Sequence, residues 1–178
     1  RGTARERGQR GVGVIHEITC DFSDEEFALV GKFVWACTVL EHELARGAMW
    51  LNATSGVSFG RGPIDDAVKR TVKGTLRGRY SDFAKALRAF TTEESYQAWI
   101  DANSQFFTNV SRLRDLLVHG KWRRGINDGI ECLFHDRQSV DSEKEVSYEA
   151  VPLRRILQST DEALFLSVSV VRVSGLLD

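Results

Sequence analysis

A short stretch two-thirds of the way along the chain, "RLRDLLVHGKW" (Arg112–Trp122), places an arginine, an aspartate and a histidine at the end of an otherwise apolar helical pattern. Arg114, Asp115 and His119 are the groups in it that carry chemistry. A histidine near its ordinary pKa can take or give a proton close to neutral pH. A guanidinium offers a planar fork of donors to a carboxylate or a phosphate. The plainer account is also open. His119 can cap a helix C-terminus, where the dipole favours a cation, and the other two can be solvated.

A second acid bears on the choice. Glu41 falls where the apolar repeat of an earlier helix calls for a hydrophobic residue. A carboxylate there either reaches out to water or finds a cationic partner. At about 100° per residue, Arg114 lies about 60° from Trp99 and flanks the stripe of Phe106, Val110 and Leu117, whereas Arg112 lies about 220° round, towards solvent. Arg114 is therefore the arginine expected to face the other helices and Glu41. His119 follows five residues later, about 140° further round an intact helix. It would approach Arg114 only if the helix ended near Val118 and Gly120 let the chain turn.

Other chemistries lack their motifs. The chain has no phosphate-cradling glycine loop with its lysine, no GxGxxG after a strand, no HExxH and no GxSxG. His16, His42 and His135 lack metal-ligand spacing, and His42 in "LEHEL" reads as a surface histidine. No metal or other cofactor is implied.

The elements that must carry these residues follow from caps and periodicity. Ser23 and Glu26 form a capping box, after which Phe27, Val30, Val34, Cys37, Glu41, Leu44, Ala48 and Leu51 recur at helical spacing. A second helix is expected from about Ile64 to Phe90, weakened by Gly74 and Gly78. A third runs from about Glu93 to His119 and stops at Gly120. Ile130, Cys132 and Phe134 alternate with polar residues, as do Val146 and Tyr148 beyond a polar turn, which predicts a β-hairpin. Pro152 opens a fourth helix to about Leu176, although "LSVSVVRV" leaves a strand open for its last third. The fold class expected is mainly α: an antiparallel four-helix bundle with a small β-hairpin between helices three and four.

With that placement the stretch resembles the HEPN family. An arginine, a polar residue and then a histidine, on the third helix of a four-helix bundle, is that family's signature; here it reads Arg114-Asp115-Leu116-Leu117-Val118-His119, with a four-residue spacer. A second register, from Arg112 across six residues, stays open, and packing favours Arg114. The trailing "HGKW" is similar to the HG-x-W of many relatives. Helix one, "GKFVWACTVLEHEL", is similar to the family's first helix, whose acidic residue faces the motif; Glu41 falls there. The resemblance covers about residues 24 to 175. It implies a homodimer and a metal-independent endoribonuclease of a toxin or phage-defence system, with a neutralising antitoxin or a nucleotidyltransferase among its partners. Catalytic roles then fall to Arg114 as phosphate clamp, His119 as acid or base, Asp115 as orienting group and Glu41 as the brace of Arg114 or His119. Lys69, Lys73 and Arg77 on helix two, with Lys121, would contact RNA. The alternative is a non-catalytic HEPN module that binds RNA, a nucleotide or a protein partner. A third reading makes Arg114, Asp115 and Glu41 a structural salt-bridge network in a helical dimer.

Composition sets the frame. At 178 residues, 42% hydrophobic and 28% charged, the chain suits one globular domain with a real core. Residues 1–22 read as a basic Gly/Arg-rich arm, partly disordered, and 23–178 as a single helical domain. No apolar run approaches the ~20 residues of a membrane helix, and no signal-peptide pattern opens the chain. Three cysteines without CxxC spacing argue for a reducing, cytoplasmic setting. The net charge of −1 predicts no polyanion partner, yet it hides a local imbalance. Residues 61–90 hold eight Lys or Arg against three Asp, and 111–124 hold five against one. A basic face of that kind suits nucleic acid.

Overall fold

The computed structural model describes residues 22–54, 74–125, 129–133 and 149–175. Among these are four helices and one small antiparallel sheet. The helices are α1 (Asp24–Thr54), α2 (Leu76–Phe90), α3 (Glu93–His119) and α4 (Leu153–Val173). The strands are β1 (Lys121–Arg124), β2 (Gly129–Leu133) and β3 (Glu149–Pro152), in spatial order β1-β2-β3. No helix among the described residues is long and apolar enough to cross a membrane.

The capping box starts α1 as its sequence predicts. The Ser23 N–H donates to Glu26 Oε2 at 2.7 Å, and the Glu26 N–H donates to Ser23 Oγ at 3.2 Å. Two otherwise orphaned amides are satisfied, and Asp24, Glu25 and Glu26 sit at the positive end of the dipole. The buried face of α1 carries Val30, Phe33, Cys37, Leu40, Leu44 and Leu51. Phe27, expected on that face, is exposed and stands edge-on to Phe22.

A continuous helix from Ile64 to Phe90 is not formed. Thr75 is extended (φ −77°, ψ 160°), and its hydroxyl accepts from the Gly78 N–H at 3.1 Å, so a new helix begins at Leu76. Gly74 just before it is a poor helix former, and a threonine N-cap supplies the partner that the helix start requires. Residues 64–73 lie outside the described residues. Helix α3 spans the predicted range; Thr92 caps it by accepting from the Ser95 N–H.

The expected hairpin is part of a larger sheet. β2 pairs with β1 on one side (Trp122↔Cys132) and with β3 on the other (Ile130↔Val151). Phe134, Val146 and Tyr148 lie outside the described residues. β1 escapes a pattern search because "KWRR" has one apolar residue and is mostly exposed. A cross-strand ion pair, Arg123 Nε to Glu131 Oε2 at 2.6 Å, helps to hold it.

The run "LSVSVVRV" is helical to Val173, where Gly175 leaves the helix at φ +67°. The face that α4 buries is Ile156, Ala163, Leu166 and Val170, while Leu157 and Val168 are exposed. Its apolar arc is wide, with Arg154, Gln158, Asp161 and Arg172 on the other side, so periodicity leaves the centre of the buried face open. The core is shared by all four helices and the sheet, with Phe33, Phe83, Leu40, Leu113, Ile130 and Ile156 fully buried. Trp99 of α3 sets its ring edge-on to Phe83 of α2 at 5.2 Å and donates its indole N–H to Ser169 Oγ of α4 at 3.0 Å.

Candidate functional site

Five charged side chains from three helices form one alternating chain. Glu41 comes from α1, Arg77 and Arg79 from the first turn of α2, and Arg114 and Asp115 from the last turns of α3. Glu41 Oε2 lies 3.4 Å from Arg79 Nη1, and Glu41 Oε1 lies 3.3 Å from Arg114 Nη2. Arg114 Nη1 lies 3.5 Å from Asp115 Oδ1, and Asp115 Oδ2 accepts from Arg77 Nη2 at 3.2 Å. The order among the described residues is Arg79, Glu41, Arg114, Asp115, Arg77.

Burial grades along the chain. Glu41, Arg79 and Arg114 keep 15%, 16% and 22% of their side-chain surface, whereas Arg77 keeps 67%. The separations of 3.2–3.5 Å exceed the ~2.7–2.9 Å of a tight charge-assisted hydrogen bond. Arg112–Glu149, at 2.9 Å, shows what a closed pair looks like elsewhere in this molecule. The candidate cluster is thus compensated but not tightly closed.

The two arginines of the opening stretch separate as their helical positions require. Arg112 points outward and binds Glu149 of β3, which also accepts from Arg155 of α4 at 2.9 Å. Arg114 turns inward to Glu41. The acid on the apolar stripe therefore has the partner its position calls for.

His119 stands apart. Helix α3 is regular through His119, and the Gly120 N–H donates to the Leu116 carbonyl at φ −78°, with no left-handed turn. The chain does not fold back, so His119 stays about 140° round the axis from Arg114. It is exposed and, among the described residues, has no hydrogen-bond or ion-pair partner. Lys121, two residues on, is exposed at the start of β1. Lys69 and Lys73 lie outside the described residues. His42 is exposed on α1, and His16 and His135 lie outside the described residues.

Cys37 sits one turn before Glu41 on α1 and is buried. Burial pushes its thiol up to about 12; Arg114 pulls it down, and Glu41 and Asp115 push it further up. It is a neutral thiol near pH 7, which removes it as a thiolate nucleophile. Among the described residues no group of three or more His, Cys, Asp or Glu side chains converges as metal ligands would.

Arg79 is the member that sequence reasoning missed. A signal for it exists: Arg79 lies in the i+3, i+4 row of Leu76, Phe83 and Leu87, which are all fully or nearly fully buried. A cation on the apolar ridge of α2 mirrors the anion on the apolar face of α1. Comparison of the chain with models of known protein families, with curated proteins and with solved structures returned no match.

Proposed function

We infer that the chain is a HEPN-type, metal-independent endoribonuclease that works as a homodimer in a toxin or phage-defence system, its four helices forming an antiparallel bundle. The observation that carries this is the pairing, on one helix, of a half-buried Arg114 braced by Glu41 with an exposed His119 that has no side-chain partner among the described residues. The order of contacts between α3 and α4, with Trp99 at Ser169 and Phe106 at Phe165, suits neighbouring helices that run in opposite directions.

The chemistry uses a proton carrier and fixed positive charge. The ribose 2′-hydroxyl loses its proton to a base, and its oxygen bonds to the adjacent phosphorus. The bond from phosphorus to the 5′-oxygen breaks, and that oxygen is protonated. The products are a 2′,3′-cyclic phosphate and a 5′-hydroxyl. His119 is the acid or base, and the Arg114 fork offsets the charge that gathers on the phosphoryl oxygens. Because His119 and Arg114 diverge within one chain, a cleft shared by two chains is the arrangement that lets both touch one phosphate. Arg77 and Lys121 supply exposed positive charge along the RNA backbone.

A second reading has its own observation. Both terminal nitrogens of Arg114 face carboxylates, as they would in a structural network with no ligand. A non-catalytic RNA- or partner-binding module fits the same geometry.

The test is RNA cleavage in chelator by the wild type and by His119→Ala. Cleavage that falls by about 10²–10⁴ in the variant is expected, the usual contribution of a positioned acid or base. Its thermal midpoint should hold, because the His119 side chain is exposed. RNA bound but uncut by the wild type sinks the enzyme reading and favours the module. RNA neither bound nor cut leaves the structural network.

A further inference from the structure

Glu41 divides its two oxygens between two guanidinia, Oε1 towards Arg114 and Oε2 towards Arg79. A carboxylate beside a single guanidinium tends to close a bidentate fork with two parallel hydrogen bonds. Such a fork would commit Arg114 to Glu41 and cancel its charge. Arg79 stands in the way, because it occupies the second oxygen. All three members of the inner half, Arg79, Glu41 and Arg114, are mostly covered, so water screens their interaction less than it would at the surface.

We propose that Arg79 is a positioning residue: by splitting the Glu41 carboxylate it keeps the Arg114 guanidinium from a closed fork and so holds it open to a phosphodiester. This rests on the ribonuclease reading for the identity of the phosphodiester, but not for the geometry of Arg114. The Thr75 cap starts the helix so that its first turn presents Arg79 to α1 and Arg77 to Asp115.

The experiment uses the full chain with Arg79→Gln and Arg79→Lys and reads two independent quantities. The first is the side-chain ¹⁵N–¹H resonance of Arg114 without RNA. The second is kcat and KM for RNA cleavage in chelator. Arg79→Gln is expected to move the Arg114 resonance and to lower kcat by about tenfold, the scale of a modest misplacement of a catalytic group. Arg79→Lys should be intermediate in both, because an ammonium restores the charge without the fork. An Arg114 resonance that stays unmoved in Arg79→Gln overturns the proposal, whether or not RNA is cut. A moved resonance in a protein that never cuts RNA keeps the positioning role and overturns the ribonuclease reading instead. If Arg79→Gln does not fold, Arg79→Lys decides, and an Arg114 resonance identical to that of the wild type overturns the proposal.

Discussion

Glu41 holds a charge on a helix face otherwise lined by Cys37, Leu40 and Leu44, and it is tolerated there because two guanidinia meet it from other helices. Removing the acid while leaving its partners is costly, since the partners stay covered without an anion. Glu41→Gln is expected to lower stability by about 1–3 kcal/mol, measured by urea unfolding. Asp115→Asn should cost less, because Asp115 and its partner Arg77 are more exposed and the pair is better screened. Equal losses would mean that the cluster is uniformly solvated and that Glu41 has no special place in it. At this scale the sequence was informative about Glu41 and Arg114, whose helical positions point them at each other. It put Arg79 on an apolar ridge but named no partner for it, because nothing local distinguishes a cation paired there from one that reaches past the ridge to water.

Helices α1, α2 and α4 approach one another closely at Gly47. A Cβ built there would lie 2.8 Å from Phe83 Cε2 and 3.1 Å from Val170 Cγ1. Both neighbours are fully buried, so neither can swing aside. Gly47→Ala gains about 1 kcal/mol of helix propensity but overpacks the junction at a cost of about 1–3 kcal/mol. A net loss of up to about 2 kcal/mol is expected, seen as a lower thermal midpoint; a rise would show that Phe83 repacks freely. The start of α1 was predictable because the Ser23–Glu26 capping box precedes its apolar run. The start of α2 was less so, because the periodic apolar pattern runs through Gly74 but the Thr75 cap divides it. Strand β1 was invisible because a mostly exposed strand has no alternation to show.

Two carboxylates tie the molecule together across elements. Glu26 links the start of α1 to Arg124 of β1, and Glu149 joins β3 to α3 and α4 through Arg112 and Arg155. The Ser23 backbone N–H holds Glu26 below its ordinary pKa of 4.5, against the opposing pull of burial. Burial raises Glu149, but hydrogen bonds from Arg155 and Arg112, with their charges, outweigh it and hold it lower. A depressed carboxylate stabilises the fold fully above its unfolded value, and that stability is lost as pH falls through the folded value. The thermal midpoint should therefore hold towards pH 5 and fall below about pH 4.5. Glu149→Gln should be less stable at pH 7 and lose less on acidification. An identical acid slope in the variant would remove Glu149 from this role.

By itself the sequence determined that the described chain is mainly helical, where α1 and α3 start, that α3 runs to His119, and which of two neighbouring arginines turns inward. These follow from spacing and capping, which act over a few residues. Only the tertiary structure decided that Arg79 shares Glu41 with Arg114, which face of α4 is buried, and that β1 completes a three-stranded sheet. Each of these depends on groups brought together from distant parts of the chain, and packing selects among faces and partners that local periodicity leaves equivalent.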